Sequence, residues 1–228
     1  MEQVLITGAN RGIGLELTKR FLLGGKRVLA TCRAPEEAVD LHRLGENERL
    51  SILELDVTNA ESVRGLRGRL AGETLDVLIN NAGVMGGDKQ SIDDMDYAAW
   101  LHALEVNTLA PFRLLAALRD NLRQSTHGRA ITLSSQMGSL SRRSVGSHAY
   151  RSSKAAVNKV MQVLALELEV DGIVVCPVHP GWVRTDMGGS NADISVEQSA
   201  LGLVQLIERM TMAHTGRFWT WEGKEHPW

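Results

Sequence analysis

The chain has 228 residues, 43% of them hydrophobic and 23% charged, which suits one full-sized core better than two cramped ones. Lys and Arg total 25 against 27 Asp and Glu, and the formal charge of -2 excludes the global positive field that gathers nucleic acid or an anionic membrane. No apolar run approaches the ~20 residues of a membrane helix, and Val4-Leu5-Ile6 follows Glu2 with no basic leader. A soluble, cytoplasmic protein is expected, with Cys32 and Cys176 as small buried thiols in a reducing compartment.

Seven short apolar runs, at 3–7, 27–31, 50–55, 75–80, 129–134, 172–178 and 217–221, alternate with longer stretches of helical period. That alternation predicts an α/β chain: one Rossmann domain over 1–228, with a doubly wound, seven-stranded parallel sheet and helices on both faces. The first helix, 12–23, puts Ile13, Leu17 and Phe21 on one face and stops at Gly24-Gly25. Pro35 opens a second, shorter helix. Thr58 with Glu61 reads as a capping box for the third, and Ser195 with Gln198 as one for the last, which carries Leu203, Leu206, Ile207 and Met210. Two long helices are expected near 96–121 and 149–170, the first kinked at Pro111, which has no N–H for the preceding turn.

Directly after the first strand comes Thr7-Gly8-Ala9-Asn10-Arg11-Gly12-Ile13-Gly14, the last glycine within the opening turn of a helix. Missing Cβ atoms let a diphosphate approach the backbone, and the helix start offers N–H groups and a positive dipole end. Gly8, Asn10, Arg11, Gly12, Ile13 and Gly14 are therefore candidate diphosphate contacts, although the Gly-x3-Gly-x-Gly spacing departs from the usual dinucleotide fingerprint. The second strand ends Thr31-Cys32-Arg33, with no carboxylate for ribose hydroxyls. Arg33 and Arg11 together are expected to clamp a 2′-phosphate, which favours NADP(H) over NAD(H). Asp56, with Val57 beside it, is a candidate for the adenine amino group, or equally a helix-start carboxylate next to Thr58. Asn80-Asn81-Ala82-Gly83 supplies a turn of small residues suited to close approach near a ribose.

Tyr150 and Lys154 lie four apart in a helical stretch and so share a face. An ammonium beside a phenol favours the phenolate and is expected to lower its pKa from ~10, making the tyrosine a general acid–base. His179 has no second histidine or cysteine at ligand spacing, so no metal is expected.

Thr7-Gly8-x3-Gly12-x-Gly14, Asn80-Asn81-Ala82-Gly83, Asn107, Ser134-Ser135, Tyr150-x3-Lys154 and Pro180-Gly181 together resemble the classical short-chain dehydrogenase/reductase family over essentially the whole chain. Residues 150–154, 179–189 and the pair Pro227-Trp228 are similar to its carbonyl reductase branch, which includes the C-factor and Sniffer proteins. The resemblance implies a tetrad of Asn107, Ser135, Tyr150 and Lys154, with Tyr150 donating a proton as hydride leaves a nicotinamide for a carbonyl carbon. Lys154 would hold the ribose, Ser135 the carbonyl oxygen and Asn107 a water for proton resupply. Ser135 lies 15 positions before Tyr150, slightly more than is common in the family, so Ser139 and Ser141 stay as alternatives. Pro180, Gly181, Val183 and Thr185 are implied to line the nicotinamide and diphosphate.

The expected function is thus reversible, NADP(H)-dependent reduction of an aldehyde or ketone. The alternatives are a non-catalytic dinucleotide-binding regulator of the C-factor type and, less fitting, an extended-branch epimerase or dehydratase. Partners are expected to be a small carbonyl compound and, for the chain itself, either no copy or a homodimer through the two long helices. The short segment 187–194 suggests an open pocket, leaving specificity to the loops 84–95 and 138–148. Trp219, Trp221 and Trp228 are assigned to packing or a subunit contact.

Overall fold

The computed structural model describes residues 1–45 and 48–228. Its strands are β1 (Gln3–Thr7), β2 (Arg27–Cys32), β3 (Leu50–Glu54), β4 (Val77–Asn80), β5 (Arg129–Leu133), β6 (Val174–His179) and β7 (Trp219–Thr220). All pair in parallel, in the order β3-β2-β1-β4-β5-β6-β7. The helices are α1 (Gly12–Leu23), α2 (Val39–His42), α3 (Ala60–Arg69), α4 (Tyr97–Leu104), α5 (Ala110–Arg123), α6 (His148–Glu167) and α7 (Val196–Arg209). This is a Rossmann-like, doubly wound α/β fold.

Strand side chains alternate between two cores, as the period of two requires. Val4, Ile6, Val28, Ala30, Val77, Ile79, Ile131 and Cys176 face α1 and α7, where Leu17, Phe21, Leu203 and Ile207 meet them. Leu5, Leu29, Leu78, Ala130 and Val175 point the other way, onto Leu66 of α3, Leu114 and Leu118 of α5 and Val157 and Met161 of α6. Full burial of one such aliphatic side chain contributes roughly 1.5–3 kcal/mol, so both faces are needed to hold the sheet. Cys32 and Cys176 are free thiols inside this core, and burial pushes Cys176 up to about 12, leaving it inert.

Several local expectations change. The cap of α3 is Asn59, whose side chain accepts from the amides of Glu61 (2.8 Å) and Ser62 (3.1 Å); the Thr58 hydroxyl is turned to Asp56 instead. Pro35 opens only a 3₁₀ turn, Pro35–Glu37, ahead of the four-residue α2. The expected helix over 96–121 is α4 and α5 joined by a π turn, Glu105–Leu109, upstream of Pro111, which sits in the first turn of α5. Gly172, at φ +68, lies outside β6, and β7 is two residues long, shorter than its apolar run. The Ser195–Gln198 capping box on α7 is present in both directions.

The strand order reverses between β1 and β4. Loops leaving the carboxyl ends of these strands run in opposite directions and open a crevice.

Candidate active site

The glycine turn follows β1 into this crevice. Gly8 (φ +62) and Gly12 (φ +53) lie in the left-handed region, and the N-terminus of α1 has no side-chain cap, so its first amides face the crevice. A Cβ on Gly14 would sit 2.4 Å from the Gly8 carbonyl oxygen and 2.6 Å from Asn81 Nδ2. This glycine lets α1 press against the β4 loop. Asn81 completes that joint: Nδ2 donates to the carbonyls of Thr7 (2.8 Å) and Gly8 (3.0 Å), while Thr7 Oγ1 accepts from the amides of Asn81 and Ala82, both at 3.0 Å. The Asn81 side chain therefore braces the turn. Ile13 packs inward against the core, whereas Asn10 is exposed.

At the other end of the crevice, Arg33 is exposed and its charge reaches Asp56. Asp56 is held below the usual carboxylate range, chiefly by the Thr58 hydroxyl at 2.7 Å, then by the Thr58 amide and by Arg33. Arg113 Nη1 donates to the Val57 (3.2 Å) and Thr58 (2.6 Å) carbonyls and fixes that loop. Arg11 pairs with Asp186, in the loop that follows β6, at 2.7 Å. Both side chains are solvent-exposed, where such pairs contribute little to stability.

Asn107 lies in the π turn. Its Oδ1 accepts from Val84 N (2.9 Å), and its Nδ2 donates to Val84 O (2.8 Å) and Ser153 Oγ (2.9 Å). The amide thus ties the β4 loop to α6 instead of presenting itself to a water. The main-chain carbonyl of Asn107 stands four residues before Pro111, which has no N–H to donate to it. Gly83 is pressed into the same corner, where a Cβ would be 3.2 Å from Asn107 Oδ1 and 3.7 Å from Lys154 Nζ.

Tyr150 and Lys154 project from the first turns of α6, and the Ser135 hydroxyl is near enough to the Tyr150 phenol to favour its ionised form. Ser135 caps the 3₁₀ turn after β5, its Oγ accepting from Met137 N at 3.1 Å. Ser134 points away, donating to Asn158 Oδ1 at 2.5 Å, as neighbours at a strand end must. Ser139 and Ser141 bond each other at 2.8 Å. Of the serines weighed for this role, Ser135 is the one whose hydroxyl acts on the phenol.

Lys154 is 5% exposed, donates to the Leu133 carbonyl at 2.8 Å and lies 5.7 Å from the centre of the Tyr150 ring. Burial pushes the lysine down to about 8. Burial also raises the Tyr150 phenol above its ordinary value, and the Ser135 hydroxyl offsets only part of this. The expected lowering of the phenol by Lys154 is thus reversed. The cause is desolvation of both groups, which disfavours phenolate and ammonium alike.

The loop after β6 forms the opposite wall. Pro180 O accepts from Ser199 Oγ at 2.6 Å, Gly181 has φ +92, and Val183 is buried and bridged to Ile194. Thr185 overhangs the glycine turn, its Cγ2 3.4 Å from where a Gly12 Cβ would stand. Beside Tyr150 an open cleft of about 630 Å³ is lined by Met85, Asp88, Lys89, Gln90, Ser147 and Met187. Gln90 shapes it: Oε1 accepts from Tyr150 N at 3.2 Å, while Nε2 donates to the Met85 (2.9 Å) and Gly87 (2.7 Å) carbonyls.

The uncapped helix start and the two left-handed glycines suit a diphosphate approaching the backbone. The buried ammonium beside Gly83 suits a ribose hydroxyl. The family model for short chain dehydrogenases matches residues 2–194. The chain belongs to the short-chain dehydrogenase family. It is 40% identical over 155 residues to the C-signal of Myxococcus xanthus, covering 68% of this chain and 93% of that protein. It is 34% identical, over the full length of both chains, to 1-hydroxy-2-glutathionyl-2-methyl-3-butene dehydrogenase of Rhodococcus sp. strain AD45. Among solved structures it is similar to the NADPH-bound carbonyl reductase from chicken fatty liver, with a TM-score of 0.94 and 32% identity, covering 100% of this chain and 99% of that one.

Four residues of this short-chain dehydrogenase to which sequence reasoning gave no individual role make contacts around its site. They are Thr7, Gln90, Ser153 and Asp186. Thr7 was open to recognition as a hydroxyl at a strand end entering a glycine turn. The other three reach the site through contacts 46 or more positions apart, which no local pattern announces.

Proposed function

We propose that the protein is an NADPH-dependent reductase of aldehydes or ketones, acting reversibly, with Tyr150 as general acid–base. The observation that carries this reading is the Tyr150 ring 5.7 Å from the buried Lys154 ammonium, with the Ser135 hydroxyl acting on the same phenol. When bound, the coenzyme supplies hydride to the carbonyl carbon. Gly8, Gly12, Gly14 and Thr185 would hold its diphosphate, Lys154 and the 81–83 turn its ribose, and the backbone of Pro180–Val183 its carboxamide end. NADPH in the chicken carbonyl reductase supports the choice of coenzyme.

Tyr150 carries its proton throughout the neutral range, because burial raises it, and is therefore set to donate to an oxygen that is gaining negative charge. Ser135, whose hydroxyl acts on that phenol, would donate to the same oxygen. Asn107 fixes Val84 and Ser153, and so the floor beneath Lys154. Its main-chain carbonyl, opposite Pro111, is the group suited to hold a water for proton resupply.

The test is NADPH consumption with a panel of aldehydes and ketones, each matched to its alcohol. The 40% identity to C-signal favours a second reading, a dinucleotide-binding signalling protein without turnover. Tight NADPH binding with every carbonyl left untouched would establish that reading and reject the first.

Two further results are expected. Arg33→Ala weakens NADPH binding roughly tenfold and leaves NADH within about twofold, because one guanidinium–phosphate contact is lost. Arg11→Ala, which removes the Asp186 pair, affects both coenzymes equally. Fluorescence titration of each variant checks this, and equal losses from Arg33→Ala would remove its assignment to the 2′-phosphate. The second concerns pH. Lys154 is charged below about 8 and loses its proton as pH rises through that value, while the phenol, raised by burial, keeps its proton there. The kcat/KM for carbonyl reduction is level near pH 7 and falls about tenfold per unit above pH 8. A level profile through pH 10 contradicts the role given to Lys154.

A further inference from the structure

Ser135 is the first residue of a loop that runs to α6 with little support of its own. Leu140 is 85% and Val145 94% exposed, and residues 141–145 are all solvent-exposed. Its first half is nevertheless rigidly seated. Gly138 N bonds Ser135 O at 2.9 Å, and Ser139 N bonds Gln136 O at 3.2 Å. A Cβ on Gly138 would lie 2.6 Å from the Lys154 carbonyl carbon, so this turn rests directly on the catalytic helix. What anchors the far side of the turn comes from the other end of the sequence. The buried Ser139 Oγ donates to the Pro227 carbonyl at 2.9 Å, and Ser141 N donates to the Trp228 carbonyl at 3.0 Å.

The anchoring residues are themselves fixed. The Trp228 ring stacks on Phe218 (5.9 Å between centres, 27° between planes), the His226 ring lies 4.9 Å from Phe218, and His226 N bonds Phe218 O at 2.7 Å. Phe218 is fully buried beside β7. The same stretch reaches the opposite wall, because Trp221 N bonds His179 O at 2.8 Å and the Trp221 indole closes on Gly181. One segment thus touches both the serine loop and the loop after β6.

We infer that residues 226–228 are a positioning strap. By holding Ser139 and Ser141, they keep the Ser135 turn in register with Tyr150. Trp228 and Ser139 then act on carbonyl reduction as positioning residues, without touching coenzyme or substrate. The inference rests on the reductase reading for its kinetic half and on the structure alone for its mechanical half.

The experiment compares wild type with Trp228→Ala, Trp228→Phe and Ser139→Ala, by amide exchange over 137–145 and by steady-state kinetics with NADPH and a carbonyl. Trp228→Ala is expected to speed exchange at Ser141 about tenfold, the scale of one lost aromatic stack. It lowers kcat about tenfold, with NADPH affinity within twofold of wild type. Trp228→Phe restores both, and Ser139→Ala reproduces the kcat loss without adding to that of Trp228→Ala in the double variant. Unchanged exchange at Ser141 in Trp228→Ala overturns the strap. So does faster exchange with kcat within twofold of wild type, or an equal loss of NADPH binding. A wild-type protein that reduces no carbonyl instead overturns the reductase reading, and the exchange result then decides the strap by itself.

Discussion

Tyr150→Phe is expected to leave a folded protein that binds NADPH within about twofold of wild type and reduces carbonyls roughly a thousandfold more slowly. The ring keeps its place on α6 and its contact with the Lys154 ammonium 5.7 Å away, so packing and the coenzyme side of the cleft are preserved. Only the hydroxyl on which Ser135 acts is removed. A factor of a thousand corresponds to about 4 kcal/mol of transition-state stabilisation, within the range of a positioned general acid. The loss should appear in kcat, because a phenyl ring does not obstruct the carbonyl. Rate measurements with saturating NADPH check it, and a variant within tenfold of wild type would show that another group delivers the proton.

The second large effect concerns the floor of the coenzyme crevice. Gly14→Ala places a methyl 2.4 Å from the Gly8 carbonyl oxygen and 2.6 Å from Asn81 Nδ2, both of them fixed by hydrogen bonds. Neither is the free end of a flexible side chain, so α1 must move away from the β4 loop. Overpacking of this kind costs about 1–3 kcal/mol, against at most ~1 kcal/mol gained by replacing a helical glycine. A clear fall in Tm is expected, with at least a tenfold loss of NADPH affinity, because the diphosphate seat shifts with the helix. Gly65→Ala in α3 is the control: its Cβ meets nothing within 4 Å, so propensity alone acts and stability rises by ~0.5–1 kcal/mol. Thermal melts of both variants separate the two outcomes, and a Gly14→Ala protein as stable as wild type would show that the contact is relieved at no cost.

The sheet was readable from the chain because a parallel strand covered on both faces leaves an uninterrupted apolar run, and residues such as Val4-Leu5-Ile6 serve both cores. The Ser195 capping box was readable because its bonds are local. At α3 the same local logic chose the wrong residue. Thr58 and Asn59 are both good caps, and the Asp56 carboxylate competes for the Thr58 hydroxyl. The π turn around Asn107 is set by what that amide holds, Val84 and Ser153, and no periodicity announces it. The pairing of Arg11 with Asp186 had no local signal, because the two lie 175 positions apart. The sign of the Tyr150 shift was misread for a related reason. Helical spacing puts ammonium and phenol together but says nothing of how far water is excluded from both.

Single-turnover transfer of deuterium from NADPH labelled at the reactive nicotinamide carbon tests the central claim most directly, in wild type and Tyr150→Phe with the same carbonyl. The expected result is one deuterium on the carbinol carbon for each coenzyme oxidised by the wild type, and alcohol formed about a thousandfold more slowly by the variant. Bound coenzyme that passes no deuterium to any carbonyl, or a variant that matches the wild type, would contradict it.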